Sequence, residues 1–245
     1  MHPTITAMGI TRSFPDLPSP AIPTTHNAMA VYEIAGIPFQ IEPQGSVLRS
    51  FLAPYASETS SSAVPIPSFP EETEVAETLR QLSLRLLYDF EGIFLHGAVV
   101  LYAGKAWLFT APPGTGKSTH VQLWQQKLGS RVKILNGDKP LLRLSGDGIT
   151  VYGSPWRGKE QLGFNGSAPL GGIYILRRSA ENMVSGIDRI QALAELLSAT
   201  VYPADETGTD KLLIFLQKLT DRIPVRLLHC RPDTGAVDAV LEDIL

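Results

Sequence analysis

The chain has 245 residues, of which 44% are hydrophobic and 18% charged, with a formal net charge of −3. That is enough apolar chain for a sizeable core, which excludes disorder along the whole length, and no run approaches a membrane-spanning 18 apolar residues. The near-neutral charge argues against broad binding of nucleic acid, and the single cysteine, Cys230, excludes an internal disulfide framework and a cysteine-rich zinc site.

The first 70 residues hold 11 of the 19 prolines, six charged residues and no lysine. Proline fixes φ and removes a backbone donor, so long helices are not expected there. Residues 1–28 read as a weakly ordered arm without the basic and apolar blocks of a secretory signal, so the protein is read as cytoplasmic. Val31 to Ile41 alternates apolar and polar residues and breaks at Gly36, which predicts a bent strand or a short hairpin. Ser57 to Ser62, with Pro65, Pro67 and Pro70, reads as a linker or surface loop. Residues 1–70 are therefore set apart as a small proline-rich, β-containing N-terminal region, and residues 71–245 as the main domain.

Beyond residue 70 the pattern changes. Glu71, Glu72 and Glu74 sit where a helix N-terminus favours acids, and Val75, Leu79, Leu82 and Leu86 follow at helical spacing, predicting a helix over 72–90. Strands are expected at Phe94–Tyr102 and Ala106–Ala111, a helix at Ser118–Leu128 and a strand at Val132–Asn136. Leu141–Leu144 and Ile149–Tyr152 flank Ser145-Gly146-Asp147-Gly148, a hairpin signal. A strand at Leu170–Leu176, helices at 188–199 and 210–219, a strand at Val225–Cys230 and a closing helix at 234–244 complete the chain. Strands mixed with helices predict an α/β fold around a mixed central sheet.

The strongest chemical signal is Ala111-Pro112-Pro113-Gly114-Thr115-Gly116-Lys117-Ser118. It matches the P-loop pattern G-x-x-x-x-G-K-[ST] with alanine at the first glycine, and it lies between an expected strand and an expected helix. Glycines let successive amides face one anion, and the helix N-terminus adds partial positive charge. Pro113, Gly114, Thr115, Gly116, Lys117, Ser118 and Thr119 are thus candidate phosphate ligands. Lys117 would reach the β and γ phosphates, and Ser118 would offer its hydroxyl to Mg²⁺. A plain glycine-rich turn, the competing reading, leaves Lys117-Ser118 without a purpose.

A second apolar strand ends in Asn136-Gly137-Asp138-Lys139, about twenty residues after Lys117. In a P-loop fold this places the Asp138 carboxylate near metal and γ phosphate, where it can hold Mg²⁺ or accept a hydroxyl proton. His96, within Leu95-His96-Gly97-Ala98, reads on its own as a core histidine. Residues 153–163 combine glycines with Arg157, Lys159 and Glu160, and read as a mobile lid that brings Arg157 or Lys159 to the moving phosphoryl group. Trp156 reads as its packing anchor. His120 reads as a surface residue of the following helix, and Cys230 as a small buried apolar one.

In this order, His-Gly before a strand pair, Gly-Thr-Gly-Lys-Ser, Gly-Asp at a strand end and a charged glycine-rich loop, the chain resembles the catalytic domain of HPr kinase/phosphorylase. That domain is similar in turn to the nucleotide site of phosphoenolpyruvate carboxykinase. The resemblance covers roughly residues 90–180. It implies an HPr kinase-like P-loop fold, ATP and Mg²⁺, phosphate binding by Gly114 to Thr119, His96 near the active site, and Asp138 as the first acid of the family's acid pair. The second acid of that pair is Lys139 here, which disfavours the family's reverse phosphorolysis and leaves Glu160 as a replacement metal carboxylate. Asn136–Pro140 and Pro155–Glu160 are similar to single-domain kinases that phosphorylate the terminal serine of lasso-peptide precursors. The expectation is an ATP-dependent kinase whose partner is a peptide or small protein with a serine acceptor, with no nucleic-acid or membrane partner. The hexameric relatives make a homo-oligomer the corresponding option. The alternatives are a small-molecule kinase acting on free serine or a sugar, and a nucleotide-binding regulatory module without transfer.

Overall fold

The computed structural model describes residues 30–58 and 62–244, so the arm read at residues 1–28 lies outside the described residues. The first part of the chain forms β1 (Val31–Ile34), β2 (Ile37–Gln40), α1 (Ser46–Leu52), β3 (Ala56–Ser57), β4 (Val64–Pro65) and α2 (Glu74–Asp89). The middle forms β5 (Gly92–Phe94), β6 (Gly97–Tyr102), β7 (Lys105–Thr110), α3 (Lys117–Leu128), β8 (Lys133–Asn136), β9 (Leu141–Ser145) and β10 (Gly148–Tyr152). The last part forms β11 (Ser167–Arg178), β12 (Met183–Gly186), α4 (Arg189–Ser198), α5 (Glu206–Arg222), β13 (Val225–Cys230) and α6 (Gly235–Ile244). Among the described residues no helix is long and apolar enough to cross a membrane.

The large sheet runs β5-β9-β10-β11-β7-β6-β8, with β13 beside β11 and β12 beyond it. It is mixed, as expected: β11 lies parallel to β7 and β13, while β6 and β7 are antiparallel. Residues Gly172 to Leu176 of β11 are buried, as suits a strand covered on both faces. Side chains alternate between those faces with period two. Leu108, Val99 and Ile173 point toward Leu196 of α4 and Leu212, Phe215 and Leu216 of α5. Trp107, Phe109, Val100 and Tyr174 point toward Val121 and Trp124 of α3 and Val237 of α6.

The Val31–Ile41 segment is a hairpin, turning at Ala35 and Gly36, both with positive φ, which matches the twist of a two-residue hairpin turn. With β3 and β4 it makes a four-stranded sheet. The segment read as a linker thus contributes β4, which pairs with β2. Ile34, Phe39, Leu48 and Leu52 share one buried cluster with Leu82 and Leu86 of α2, Leu141 and Trp156. Glu74 is not an exposed helix-start acid: its buried carboxylate accepts from the amides of Gln44 and Gly45, at 2.7 and 2.8 Å.

One expected element is corrected in a way that matters for the site. Phe94–Tyr102 is not one strand but two, β5 and β6, broken at Leu95 and His96. The two halves lie near opposite ends of the sheet path, so the sheet curls and the chain crosses between its ends. The chain crosses again between β8 and β9, through residues 137–140. The two crossings lie side by side, with Leu95 N donating to Pro140 O (3.2 Å) and Gly97 N to Asp138 O (2.8 Å).

Candidate functional site

The glycine loop forms where β7 meets α3. Gly114 and Gly116 have φ of +76° and +120°, a region closed to most side chains, and a Cβ at either would meet open space. The first regular helical bond is His120 N to Gly116 O (2.9 Å). The amides of Lys117, Ser118 and Thr119 have no acceptor among the described residues, and Gly116 brings no side chain to cap them. A row of unsatisfied amides on a concave turn at a helix start is a cradle for an anion. Lys117 is buried beside it, its Nζ donating to Ala111 O (2.9 Å) and Pro112 O (3.5 Å). Burial lowers the Lys117 pKa; Asp138 opposes that shift and Lys139 adds to it. An arriving anion would relieve the cost of this buried cation. Residues Gly114 to Thr119 therefore fit a polyphosphate.

The adjoining turn is built in the opposite way, with its groups already satisfied. Asn136 is buried, and its Oδ1 accepts from Asp138 N (3.0 Å) and Lys139 N (2.8 Å). Its Nδ2 donates to Ser154 O and Ser154 Oγ, both at 3.2 Å. Ser154 Oγ in turn donates to Lys139 O (2.5 Å). Asp138 is thus fixed from both sides of its backbone. Its carboxylate meets His96 Nε2 at Oδ1 (3.2 Å) and Lys139 Nζ at Oδ2 (2.6 Å). Burial pushes the Asp138 pKa up, but hydrogen bonds and charge from His96 and Lys139 outweigh it and hold the acid down to about 2. Asp138 stands ionised at neutral pH, close enough to Lys117 for their charges to interact.

His96 is therefore not a core histidine inside a strand. It sits in the first crossing, with its N donating to Ala199 O (2.7 Å) and its O accepting from Thr110 Oγ1 (2.8 Å). Residues 153–163 are fastened rather than free as a lid. Gly137 N donates to Leu162 O (2.9 Å), Lys139 N to Trp156 O (3.2 Å) and Phe164 N to Leu135 O (3.2 Å). A Cβ on Gly153 would come within 2.0 Å of Phe164 O, so only glycine fits there. Trp156 is buried edge-on against Phe94 and donates from Nε1 to Val75 O (3.1 Å), the anchoring role expected of it. Arg157 turns back into its own loop toward Gly163 O (3.4 Å), and its Nε is buried without a partner. Lys159 and Glu160 are exposed. Lys159 makes no hydrogen bond or ion pair among the described residues. Asp138 and Glu160 flank Gly158: a Cβ there would lie 3.2 Å from Asp138 Cβ and 3.8 Å from a Glu160 carboxylate oxygen.

No group of three or more His, Cys, Asp or Glu side chains suited to a metal occurs among the described residues. Asp138 and Glu160 flank Gly158 and Ser118 lies in the first turn of α3, and each carries an oxygen of the type Mg²⁺ accepts.

Sequence reasoning missed Arg178, which reaches across from β11 to donate to Gly114 O (2.5 Å) and Thr115 O (3.4 Å). It also missed Glu195 of α4, which pairs with Arg177. No local signal announces either contact. His120 is corrected from surface to core. It is buried against Phe109, accepts from Trp124 Nε1 (3.1 Å), and burial pushes its pKa down to about 3. Cys230 is half-buried rather than a core residue, and it lines a cavity beside the glycine loop.

No protein-family model and no curated protein matches the chain. One matching solved structure is the Hpr(Ser) kinase/phosphatase from Coxiella burnetii, with 9% identity and a TM-score of 0.35, covering 61% of this chain and 94% of that one. That likeness is too distant to assign the chain to a family or an activity.

Proposed function

We propose that the protein is an ATP-dependent kinase that transfers the γ-phosphoryl group to a serine hydroxyl of a peptide or small protein. One observation carries this reading: an ionised carboxylate, Asp138, is fixed beside the buried Lys117 of an open amide cradle. The amides of Lys117, Ser118 and Thr119 would hold phosphate oxygens, with Lys117 on the β and γ groups. Ser118, Asp138 and Glu160 would hold Mg²⁺, which when bound neutralises charge on the phosphates. Asp138 orients the acceptor hydroxyl and takes its proton. Its low pKa suits a loose transition state, in which positioning outweighs proton abstraction. Lys159, exposed and with no partner among the described residues, is free to steady the moving phosphoryl group, whereas Arg157 is turned into its own loop. A lasso-peptide precursor with a terminal serine is the specific form of the acceptor, supported by sequence resemblance alone.

Mass spectrometry tests this reading. The protein is incubated with Mg·ATP and serine-terminated peptides, with Asp138→Asn protein in parallel. The expected result is one added phosphate on a serine, absent with the variant. Free serine or a sugar phosphorylated in place of every peptide would move the assignment to a small-molecule kinase.

A second reading has its own support. Lys139 pairs with Asp138 Oδ2 at 2.6 Å, and His96 takes the other oxygen at 3.2 Å, so both carboxylate oxygens already have partners. A regulatory module that binds nucleotide without transfer would tolerate that pairing. ATP bound but never consumed with any acceptor would decide for it.

A further inference from the structure

Arg178 ends β11, and the sheet sets its backbone. Ile175 of β11 pairs with Thr110 at the end of β7, so Leu176 to Arg178 extend past the point where the glycine loop begins. There Arg178 pairs with Cys230 of β13, and Ser179 N donates to Cys230 O (3.0 Å). Side chains of a strand alternate between faces. Arg177 turns to one face and pairs with Glu195 of α4, while Arg178 turns to the other and reaches the loop. Arg178 makes no ion pair among the described residues. Its guanidinium is spent on two successive carbonyls: Nη2 donates to Gly114 O (2.5 Å) and Nε to Thr115 O (3.4 Å).

The peptide unit is planar and trans, so a carbonyl and the amide after it point in opposite directions. Holding the carbonyls of Gly114 and Thr115 toward Arg178 therefore aims the amides of Thr115 and Gly116 away from it. Gly116 N, like the amides of Lys117 to Thr119, has no acceptor among the described residues. Little else fixes these two planes. Glycine takes either sign of φ, a Cβ at Gly114 or Gly116 would meet open space, and Thr115 N is tied only to Pro112 O at 3.3 Å. The local sequence permits the cradle, and Arg178 holds it in one form. A lysine would bring the same charge but a single point of contact, whereas the guanidinium fork meets both carbonyls.

We propose that Arg178 is a positioning residue: its fork fixes the peptide planes of the glycine loop and so pre-sets the amides that take the donor's phosphates. An anion then meets a loop whose ordering cost is already met. For the identity of the ligand this rests on the kinase reading.

The test uses the full chain as wild type, Arg178→Lys and Arg178→Gln. Calorimetry measures Mg·ATP and Mg·tripolyphosphate, and nitrogen-15 relaxation of the unliganded proteins measures the order of the Thr115 and Gly116 amides. Both variants should bind both ligands about tenfold more weakly, the low end for a hydrogen bond to a charged group. The two order parameters should fall from about 0.85 to below about 0.6, with the unfolding midpoint unchanged. Wild-type affinity in Arg178→Lys overturns the proposal, because charge alone then suffices. So do order parameters that stay at the wild-type value, since Arg178 then acts on the ligand directly. A loss confined to ATP overturns it because the loop serves phosphates, and a lowered midpoint because the role is then structural. In each of these cases wild type still binds and the kinase reading stands. Wild type that binds neither ligand removes the cradle, and the kinase reading and the proposal fall together.

Discussion

The glycine loop and the Asn136–Lys139 turn lie side by side yet are built on opposite principles. The loop is local: its shape follows from Gly114, Gly116 and the start of α3, and it leaves amides without acceptors and a buried cation held only by backbone carbonyls. The turn is non-local: its conformation depends on Ser154, Trp156, Gly97 and His96, and its groups are paired. The first leaves donors open, the second pairs its own. Binding and stability should therefore separate between the two, since unsatisfied groups favour a ligand whereas a satisfied network favours the fold.

The largest expected effect is on chemistry. Asp138→Asn should cut phosphoryl transfer by about 10²- to 10⁴-fold, by removing the charge that positions the acceptor hydroxyl and receives its proton, with ATP affinity retained in calorimetry. Full activity in that variant would remove Asp138 from the mechanism. Next comes Trp156→Ala, expected to destabilise the fold by about 3–5 kcal/mol in urea titration, because it empties a buried site shared by α2, β5 and the 153–163 loop. If that loop were an independent lid, the unfolding midpoint would barely move.

Asn136→Ala should cost about 1–3 kcal/mol, since it takes the acceptor from Asp138 N, leaves Lys139 N only Trp156 O, and removes the donor that bonds Ser154 O and Oγ. Acid titration sharpens the same contrast. Asp138 has its pKa held down to about 2 from 3.8, so the stability it contributes is complete above pH 3.8 and is lost as pH falls through 2. At neutral pH that contribution is ~2 kcal/mol, and stability curves of wild type and Asp138→Asn should converge over this acid range. The smallest effect has the opposite sign. Lys117→Met removes a buried cation whose charged form burial disfavours, so it should raise the unfolding midpoint slightly while abolishing nucleotide binding. A destabilised Lys117→Met protein would mean that the loop belongs to the fold as much as the turn does.

Elements with a strong local pattern were legible in advance. The helix over 72–90, the Leu141–Tyr152 hairpin and the strand at Val225–Cys230 each follow from periodicity or turn chemistry. The break at Leu95–His96 was not, because an apolar run carries no mark of where a sheet curls. β12 was missed because Met183–Gly186 has little apolar alternation and is held by pairing to β13. His120 looked exposed because a lone polar residue on a short helix reads as surface until Phe109 and Trp124 close over it.

The sequence by itself determined the amide cradle, since glycines, a lysine and a helix start need only neighbours in the chain to take that form. It also marked Asp138 as a charged residue at a strand end. Only the tertiary structure decided what the carboxylate would face. Two crossings, far apart in sequence, run together because the sheet curls, and this sets His96 against Asp138. The same curl folds the 153–163 loop onto β8, while β11 brings Arg178 over the glycine loop. These contacts depend on sheet order, which no single strand encodes, and so the position of Lys117 at the start of α3 could be read from the sequence while the surroundings of Asp138 could not.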